Sequence, residues 1–346
     1  MGGDHAPQCV MDGIRIVAKQ DKDVKFLVFG DKKQIQPHLD ADPLLQSVCE
    51  LIHTDEVVTS DTTVSNALRN LRNSSMRLAI NAVATKQAQG VVSSGNTGAY
   101  MALSKMILKT LDGINRPAIA ALLPTRTGYS VALDLGANVD ATPENLVQFS
   151  LMGILFSRCV LGVENPSFGL LNVGVEELKG NDRIKLAYQF LKEHPLSNNF
   201  LGYVEGDDIT KGTVDVIVTD GFTGNIALKA MEGIARLLLE VIRSEIGKSI
   251  VAKIGALLAS KALRATKQKL NPHGYNGAPF LGLRGIAVKS HGSTNEEGFA
   301  NALHVAIRLI RNEVNEKISN ELKNLSSTLS SMLDSTTTKT TVDSSL

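Results

Sequence analysis

The sequence predicts an α/β protein built in three layers, a mostly parallel sheet with helices on both faces. Short β-branched runs alternate with helical patterns along the chain, the arrangement that yields a parallel sheet with crossover helices. Several strand-like runs stop at polar corners containing glycine, and in such folds ligands sit where strands end and helices begin. With 346 residues, 43% hydrophobic and 21% charged, the chain has enough apolar material for a large core under a polar surface.

Taken in order, Val24 to Phe29 is the first strand-like run and closes at Gly30-Asp31. Ser75 to Ala88 has helical periodicity. Val91-Val92 then runs into Ser93-Ser94-Gly95-Asn96-Thr97-Gly98, and an apolar helical pattern resumes from Tyr100 to Leu108. Such a strand-to-helix corner leaves backbone N–H groups pointing outward where the helix dipole favours an anion, phosphate being the first candidate. Ala118 to Leu123 and Ser130 to Leu133 are further strands, the second ending at Asp134-Leu135-Gly136-Ala137-Asn138. A helix over Pro143 to Cys159, a strand over Gly169 to Val173 with a corner at Asn172-Val173-Gly174, and a helix over Asn181 to Glu193 follow. Val214 to Thr219 is a strand that ends at Asp220-Gly221-Phe222-Thr223-Gly224-Asn225, and Gly285 to Val288 is strand-like before Ser290-His291-Gly292-Ser293. The corners are expected to converge along one sheet edge as a shared site. Residues 1–325 read as a single α/β domain, and the Ser/Thr-rich 326–346 as a disordered tail.

Composition excludes several classes. At 4% aromatic residues, without Trp and with a formal net charge of +1, the chain lacks the stacking surface and basic excess of a nucleic-acid binder. Cys9, Cys49 and Cys159 are odd in number, far apart and without a CxxC pair, which points to buried structural thiols in a reducing, cytoplasmic compartment. No apolar run reaches the roughly 18 to 20 residues that span a bilayer.

The corners are rich in Asn, Ser, Thr, Asp and Gly, yet GxSxG and HExxH are absent and no cluster has zinc-ligand spacing. A reaction that needs no protein nucleophile fits this pattern: phosphate is itself an anion and attacks a carbonyl once desolvated and aimed. Neither a cofactor nor a metal is expected.

Six segments in order carry a resemblance. They are Met1-Gly2-Gly3-Asp4-His5-Ala6-Pro7, Ser74-Ser75-Met76-Arg77, Ser94-Gly95-Asn96-Thr97-Gly98-Ala99, Asp134 to Asp140, Thr219 to Asn225, and Lys289-Ser290-His291-Gly292-Ser293. From Met1 to about Val314 the chain resembles the phosphate acyltransferase family of bacterial phospholipid synthesis, the PlsX family. The resemblance implies attack of phosphate on the thioester of an acyl-acyl carrier protein, giving acyl phosphate and free carrier thiol. It also implies a fold related to the isocitrate and isopropylmalate dehydrogenases, and a homodimer. Family members carry a short apolar strand before the first of these motifs, so the resemblance implies one strand fewer at that sheet edge here.

Each site residue has two readings. Ser94, Gly95, Asn96, Thr97 and Gly98 are assigned to phosphate or the acyl-phosphate group, against an ordinary capped turn. Gly3, Asp4, Asp220, Gly221 and Gly224 are placed with them in the substrate site. Asp134, Asn138 and Asp140 orient donors around the site or, less in keeping with the chemistry, hold a cation. His291 protonates the leaving thiolate or bonds a phosphate oxygen, against a His bonded to a neighbouring carbonyl. Lys179 is an anion contact or a solvated charge, Asn225 an oxyanion donor, and His5 lies beside the first motif.

No Asp or Glu occurs between Glu245 and Glu296, while Lys248, Lys253, Lys261, Arg264, Lys267 and Lys269 crowd one stretch. With Ile250, Val251, Ile254, Leu257, Leu258 and Leu263 at mostly helical spacing, about 245–272 reads as a basic amphipathic helical segment. Lys253, Leu257, Leu258, Lys261, Arg264 and Lys267 are expected to touch anionic lipid or the acidic carrier protein, against a helix buried in a dimer interface. Competing functions are an NAD-dependent decarboxylating dehydrogenase, for which these corners lack an arginine cluster, and a non-catalytic phosphometabolite-binding module.

Overall fold

The computed structural model describes residues 1–193, 195–270 and 276–323, without the side chains of 195, 196 and 267–270. The tail at 326–346 and residues 271–272 of the basic segment lie outside the described residues. The chain opens with α1 (Gln8–Gln20), β1 (Phe26–Gly30), α2 (Lys32–Asp40), α3 (Pro43–Val48) and β2 (Cys49–His53). There follow α4 (Val64–Arg69), α5 (Ser75–Ala84), β3 (Gly90–Ser93), α6 (Thr97–Leu108), β4 (Ala118–Ile119), β5 (Ala121–Pro124) and β6 (Tyr129–Leu133). Next come α7 (Pro143–Leu161), β7 (Phe168–Leu171), α8 (Asp182–Glu193), β8 (Phe200–Val204), α9 (Asp208–Lys211) and β9 (Val216–Val218). The last elements are α10 (Gly221–Gly247), α11 (Ile250–Leu258), α12 (Ser260–Leu270), β10 (Ala278–Leu281), β11 (Ile286–Lys289) and α13 (Glu296–Arg311), with a further helical stretch at 314–323.

Parallel pairing dominates, but it is divided among three sheets: β1-β2, β3-β11-β10-β4 and β5-β6-β9-β7-β8. The antiparallel pairs are β10 with β11, β10 with β4, and β5 with β6. The apolar run from Ala118 to Leu123 is two strands, because the chain leaves the four-stranded sheet at Ile119 and enters the five-stranded sheet at Ala121. Between them the N–H of Ala120 bonds the carbonyl of Pro279 at 3.1 Å. Met1 lies at the edge of β1, its amino group 3.3 Å from the carbonyl of Phe29.

Helix α7 is buried on nearly every side, as its continuous apolar sequence requires, and a Thr142–Asn145 capping box fixes its start. The helix expected to Ala88 ends at Ala84, where Lys86 takes a φ of 62° and the N–H groups of Gln87 and Ala88 fold back onto the carbonyl of Ala82. Strands β2, β8 and β10 were not expected from the sequence. Cys9 is buried, Cys49 and Cys159 are half-buried, and all three are free thiols.

At about 1.5 Å per residue, the 27 residues of α10 extend roughly 40 Å. Only Gly221 and Gly224 of that helix are buried. Its middle exposes Ile234, Leu237, Leu238 and Val241, the spacing of one apolar stripe. The basic segment forms α11 and α12 beyond it, with Leu257 at 73% and Leu258 at 83% exposure and Lys253, Lys261 and Arg264 exposed. No described helix is long and apolar enough to cross a membrane.

Candidate active site

Parallel strands β3 and β11 are neighbours, with Ser93 opposite Lys289, so the segments that follow them emerge side by side. The N–H of Ser290 bonds the carbonyl of Ser93 at 2.9 Å, and the N–H of Asp4 bonds the carbonyl of Gly292 at 2.8 Å. Ser94 is buried, and its hydroxyl donates to the carbonyl of Gly2 at 2.6 Å. Three motifs far apart in sequence thus become one corner. Gly3 has a φ of +92°, and a Cβ there would lie 2.6 Å from Ser94 Oγ, so this crossing requires glycine. Asn96 caps α6 by accepting the N–H of Ala99 at 3.1 Å, while its amide donates to the carbonyls of Ser60 and Thr62, each at 3.1 Å. Thr97 and Gly98 are exposed in the first turn of α6, where backbone N–H groups have no partner within the helix.

Buried Asn276 fixes the other wall. Its amide donates to Ser290 Oγ at 2.7 Å, Thr294 Oγ1 at 3.2 Å and the carbonyl of Gly298 at 2.8 Å, and its Oδ1 accepts the N–H of His291 at 2.8 Å. His291 is exposed, and its Nδ1 lies 3.0 Å from Ser293 Oγ and 3.3 Å from the N–H of Ser293. An Nδ1 that accepts that N–H leaves the proton of the neutral ring on Nε2.

A second corner follows β6 and β9. Asp134 is fully buried: Oδ1 accepts the N–H groups of Ile119, Gly136 and Ala137, and Oδ2 accepts the N–H and amide of Asn138 at 2.7 and 2.9 Å. Burial pushes its carboxyl above the usual range, and these donors pull the other way. Asn138 also donates to the carbonyl of Pro117 at 2.7 Å. The polar atoms of both side chains are therefore committed to shaping the corner. Asp140 lies at the surface, paired with Arg183 at 3.0 Å.

Asp220 caps α10 through the N–H and hydroxyl of Thr223, at 2.8 and 2.9 Å. The N–H of Gly221 bonds the carbonyl of Asn138 at 2.7 Å, and added methyl groups on Gly221 or Gly224 would run into the carbonyls of Asn138 or Asp134. Both glycines let the helix start against the Asp134 corner. Asn225 is exposed beside Gly136, its side chain 3.6 Å from where a Cβ of Gly136 would stand. A cleft of about 250 Å³ adjoins this helix start, lined among others by Val139, Asp140, Arg183, Asp220, Phe222 and Thr223. Lys179 is exposed on the loop after β7, and its carbonyl accepts the amide of Asn172 at 3.2 Å.

Lys289 belongs to the first corner. It is buried at 9% exposure at the end of β11, and its Nζ donates to the carbonyls of Ser94, at 3.2 Å, and Ser290. Burial pulls its ammonium down to about 8, with Asp4 opposing the shift and Lys229 adding to it. Lys229 follows Asn225 by four residues on α10 and so shares its face. The sequence assigned no role to Lys289 or Asn276. For Lys289 a signal existed, a lysine at the end of an otherwise apolar strand. Asn276 stands outside any pattern.

The structure thus brings Gly3, Asp4, Ser94 to Gly98 and His291 into one corner, and Asp134, Asn138, Asp220, Gly221, Gly224 and Asn225 into a second. Lys253, Leu257, Leu258, Lys261, Arg264 and Lys267 lie instead on α11 and α12, at the far end of α10.

Comparison with known proteins bears on this site. A family model described as "Fatty acid synthesis protein" matches residues 1–317. The chain is 51% identical over 318 residues to a phosphate acyltransferase of Rhodospirillum rubrum, covering 92% of this chain and 91% of that one. It is 54% identical to a phosphate acyltransferase of Rhodospirillum centenum, covering 92% and 90%. Among solved structures, a phosphotransacetylase from Streptococcus pyogenes superposes with a TM-score of 0.58 at 14% identity, over 87% of this chain and 91% of that one. A branched-chain phosphotransacylase from Enterococcus faecalis gives 0.55 at 15% identity, over 89% and 96%. These two share the fold. The matched span contains both corners and Lys289, and the chain belongs to the phosphate acyltransferase family.

Proposed function

We propose that this protein transfers a fatty acyl group from the thioester of an acyl-acyl carrier protein to inorganic phosphate, giving an acyl phosphate for phospholipid synthesis. The observation that supports the reading is a pair of polar corners at strand ends, one holding the first turn of α6 and buried Lys289, the other the start of α10 and Asn225. Phosphate in the first corner attacks the thioester carbonyl directly. Asn225 and the start of α10 steady the oxyanion, His291 passes to the departing thiolate the proton that hydrogen phosphate gives up on becoming an acyl phosphate, and Lys179 draws the anionic substrate in.

A direct attack agrees with the state of the candidate nucleophiles. Burial pushes the thiols of Cys9 and Cys49 up to about 11 and also raises Cys159, so none offers a thiolate at neutral pH. The hydroxyl of Ser94 donates to Gly2 rather than to a base.

Exposed Leu257 and Leu258, flanked by Lys253, Lys261 and Arg264, favour a contact of α11 and α12 with an anionic membrane surface or the acidic carrier protein. The uncovered stripe Ile234, Leu237, Leu238 and Val241 favours a homodimer that buries α10. The reaction is tested by mixing the protein, a long-chain acyl-acyl carrier protein and inorganic phosphate, then adding hydroxylamine. Hydroxamate that rises above the enzyme-free background only when phosphate is present is the expected result, and an enzyme-dependent rise that is independent of phosphate, or none at all, would overturn the reading.

A further inference from the structure

Asp134 and Lys289 are the two charged side chains that are buried among the described residues. The fold treats them differently. Asp134 receives N–H groups from Ile119, Gly136, Ala137 and Asn138 and the amide of Asn138, so its charge is met by donors on every side. Lys289 receives two backbone carbonyls, those of Ser94 and Ser290. The acid that acts on it is exposed Asp4, and no described carboxylate lies within the 4.0 Å of an ion pair. Lys229 on α10 opposes its charge. Burying an ammonium without an anion carries a penalty of several kcal/mol, so such a group persists where something else supplies the anion.

The neighbours of Lys289 are glycine-containing backbone segments. The Ser94 carbonyl that Lys289 holds is 3.7 Å from where a Cβ of Gly292 would stand, and a Cβ of Gly3 would lie 3.1 Å from the carbonyl of Gly292. Bare backbone therefore surrounds the ammonium where side chains would otherwise close over it. Of the ammonium's three hydrogens, two are used by carbonyls.

We propose that Lys289 is a phosphate-binding residue of this active site, its ammonium being the counter-charge that fixes inorganic phosphate between the Gly3, Ser94 and Gly292 segments for attack. The proposal rests on the reading of the chain as a phosphate-using acyltransferase and names the residue that selects the acceptor. It also sets a pH dependence. Asp4 from the N-terminal loop, Lys229 from α10 and His291 two residues further along the same corner are the charged and titratable groups around it. With an ammonium that deprotonates near 8, the free enzyme loses its phosphate-holding charge as the pH rises through that value, although phosphate stays dianionic.

The test uses the full chain with inorganic phosphate, read by initial rates and by the phosphate-induced rise in melting temperature. K289M is expected to raise the KM for phosphate on the order of 10- to 100-fold, the weight of one charged hydrogen bond, with the thioester KM changed by less than about threefold. It should also lose the melting-temperature response to phosphate. K289R should keep part of that response and hold it from pH 7 to 9.5, whereas the wild type weakens above about pH 8. Unchanged phosphate KM and unchanged thermal response in K289M would overturn the proposal. If K289M does not fold, a wild-type phosphate affinity that is flat across the same pH range overturns it. A wild type that binds phosphate through Lys289 yet makes no acyl phosphate would sink the acyltransferase reading and leave the phosphate site standing.

Discussion

His291 and Asn225 are the residues proposed to carry the chemistry at the two corners. Both are exposed, and both sit on segments whose backbone is tied down by buried neighbours, Asn276 in one case and the Asp134–Asn138 pair in the other. This division of labour follows from elementary costs: a buried polar side chain must spend its atoms on hydrogen bonds, which leaves it able to position others but not to meet substrate. If His291 donates a proton to the leaving thiolate, His291→Ala should lower kcat by about 10- to 100-fold while the thioester KM changes by less than about threefold. Steady-state rates on a variant with an unaltered circular dichroism spectrum check this. A kcat equal to wild type would return the ring to a local role, bonded to Ser293. The glycines of these corners were legible in the sequence, since Gly3, Gly221 and Gly224 stand where backbones approach too closely for a Cβ. The burial of Lys289 was not, because a lysine is read as a surface charge unless the neighbouring strands are known to enclose it.

At the scale of the element, the strands that lead into the site were readable because β3, β6 and β9 are β-branched runs that stop at polar corners. Strands β2, β8 and β10 contain Glu50, Gly202 and Pro279, residues that strand propensity disfavours, and pairing with neighbours decides them. The split of Ala118 to Leu123 between two sheets was likewise invisible in a uniform apolar run. The basic segment was read as amphipathic helix, and it consists of α11 and α12. If these helices attach the protein to anionic lipid, Leu257→Glu with Leu258→Glu should abolish co-sedimentation with anionic vesicles, as should Lys261→Glu with Arg264→Glu and Lys267→Glu. Only the charge reversal should also weaken binding of the carrier protein. Each cation near an anionic surface contributes about 1 kcal/mol, so the triple reversal removes several and adds as much repulsion. Undiminished co-sedimentation of both folded variants would remove the membrane role and leave α10 to α12 as a surface for a second copy.

In the whole molecule the ends of β3 and β11 form one corner and the ends of β6 and β9 another, from which α10 runs on to the basic helices. Such an arrangement joins an anion corner to a surface for a large, charged donor. The mechanism it supports has no acyl-enzyme: phosphate, held beside Lys289, meets the thioester directly. A covalent route would release the carrier thiol before phosphate enters, and the two routes therefore differ in partial reactions. The measurement that separates them supplies the enzyme with acyl-acyl carrier protein and isotopically labelled free carrier, without phosphate, and follows the label into the thioester. The account predicts no exchange until phosphate is added, and then exchange together with acyl phosphate. Label that enters the thioester in the absence of phosphate would contradict it.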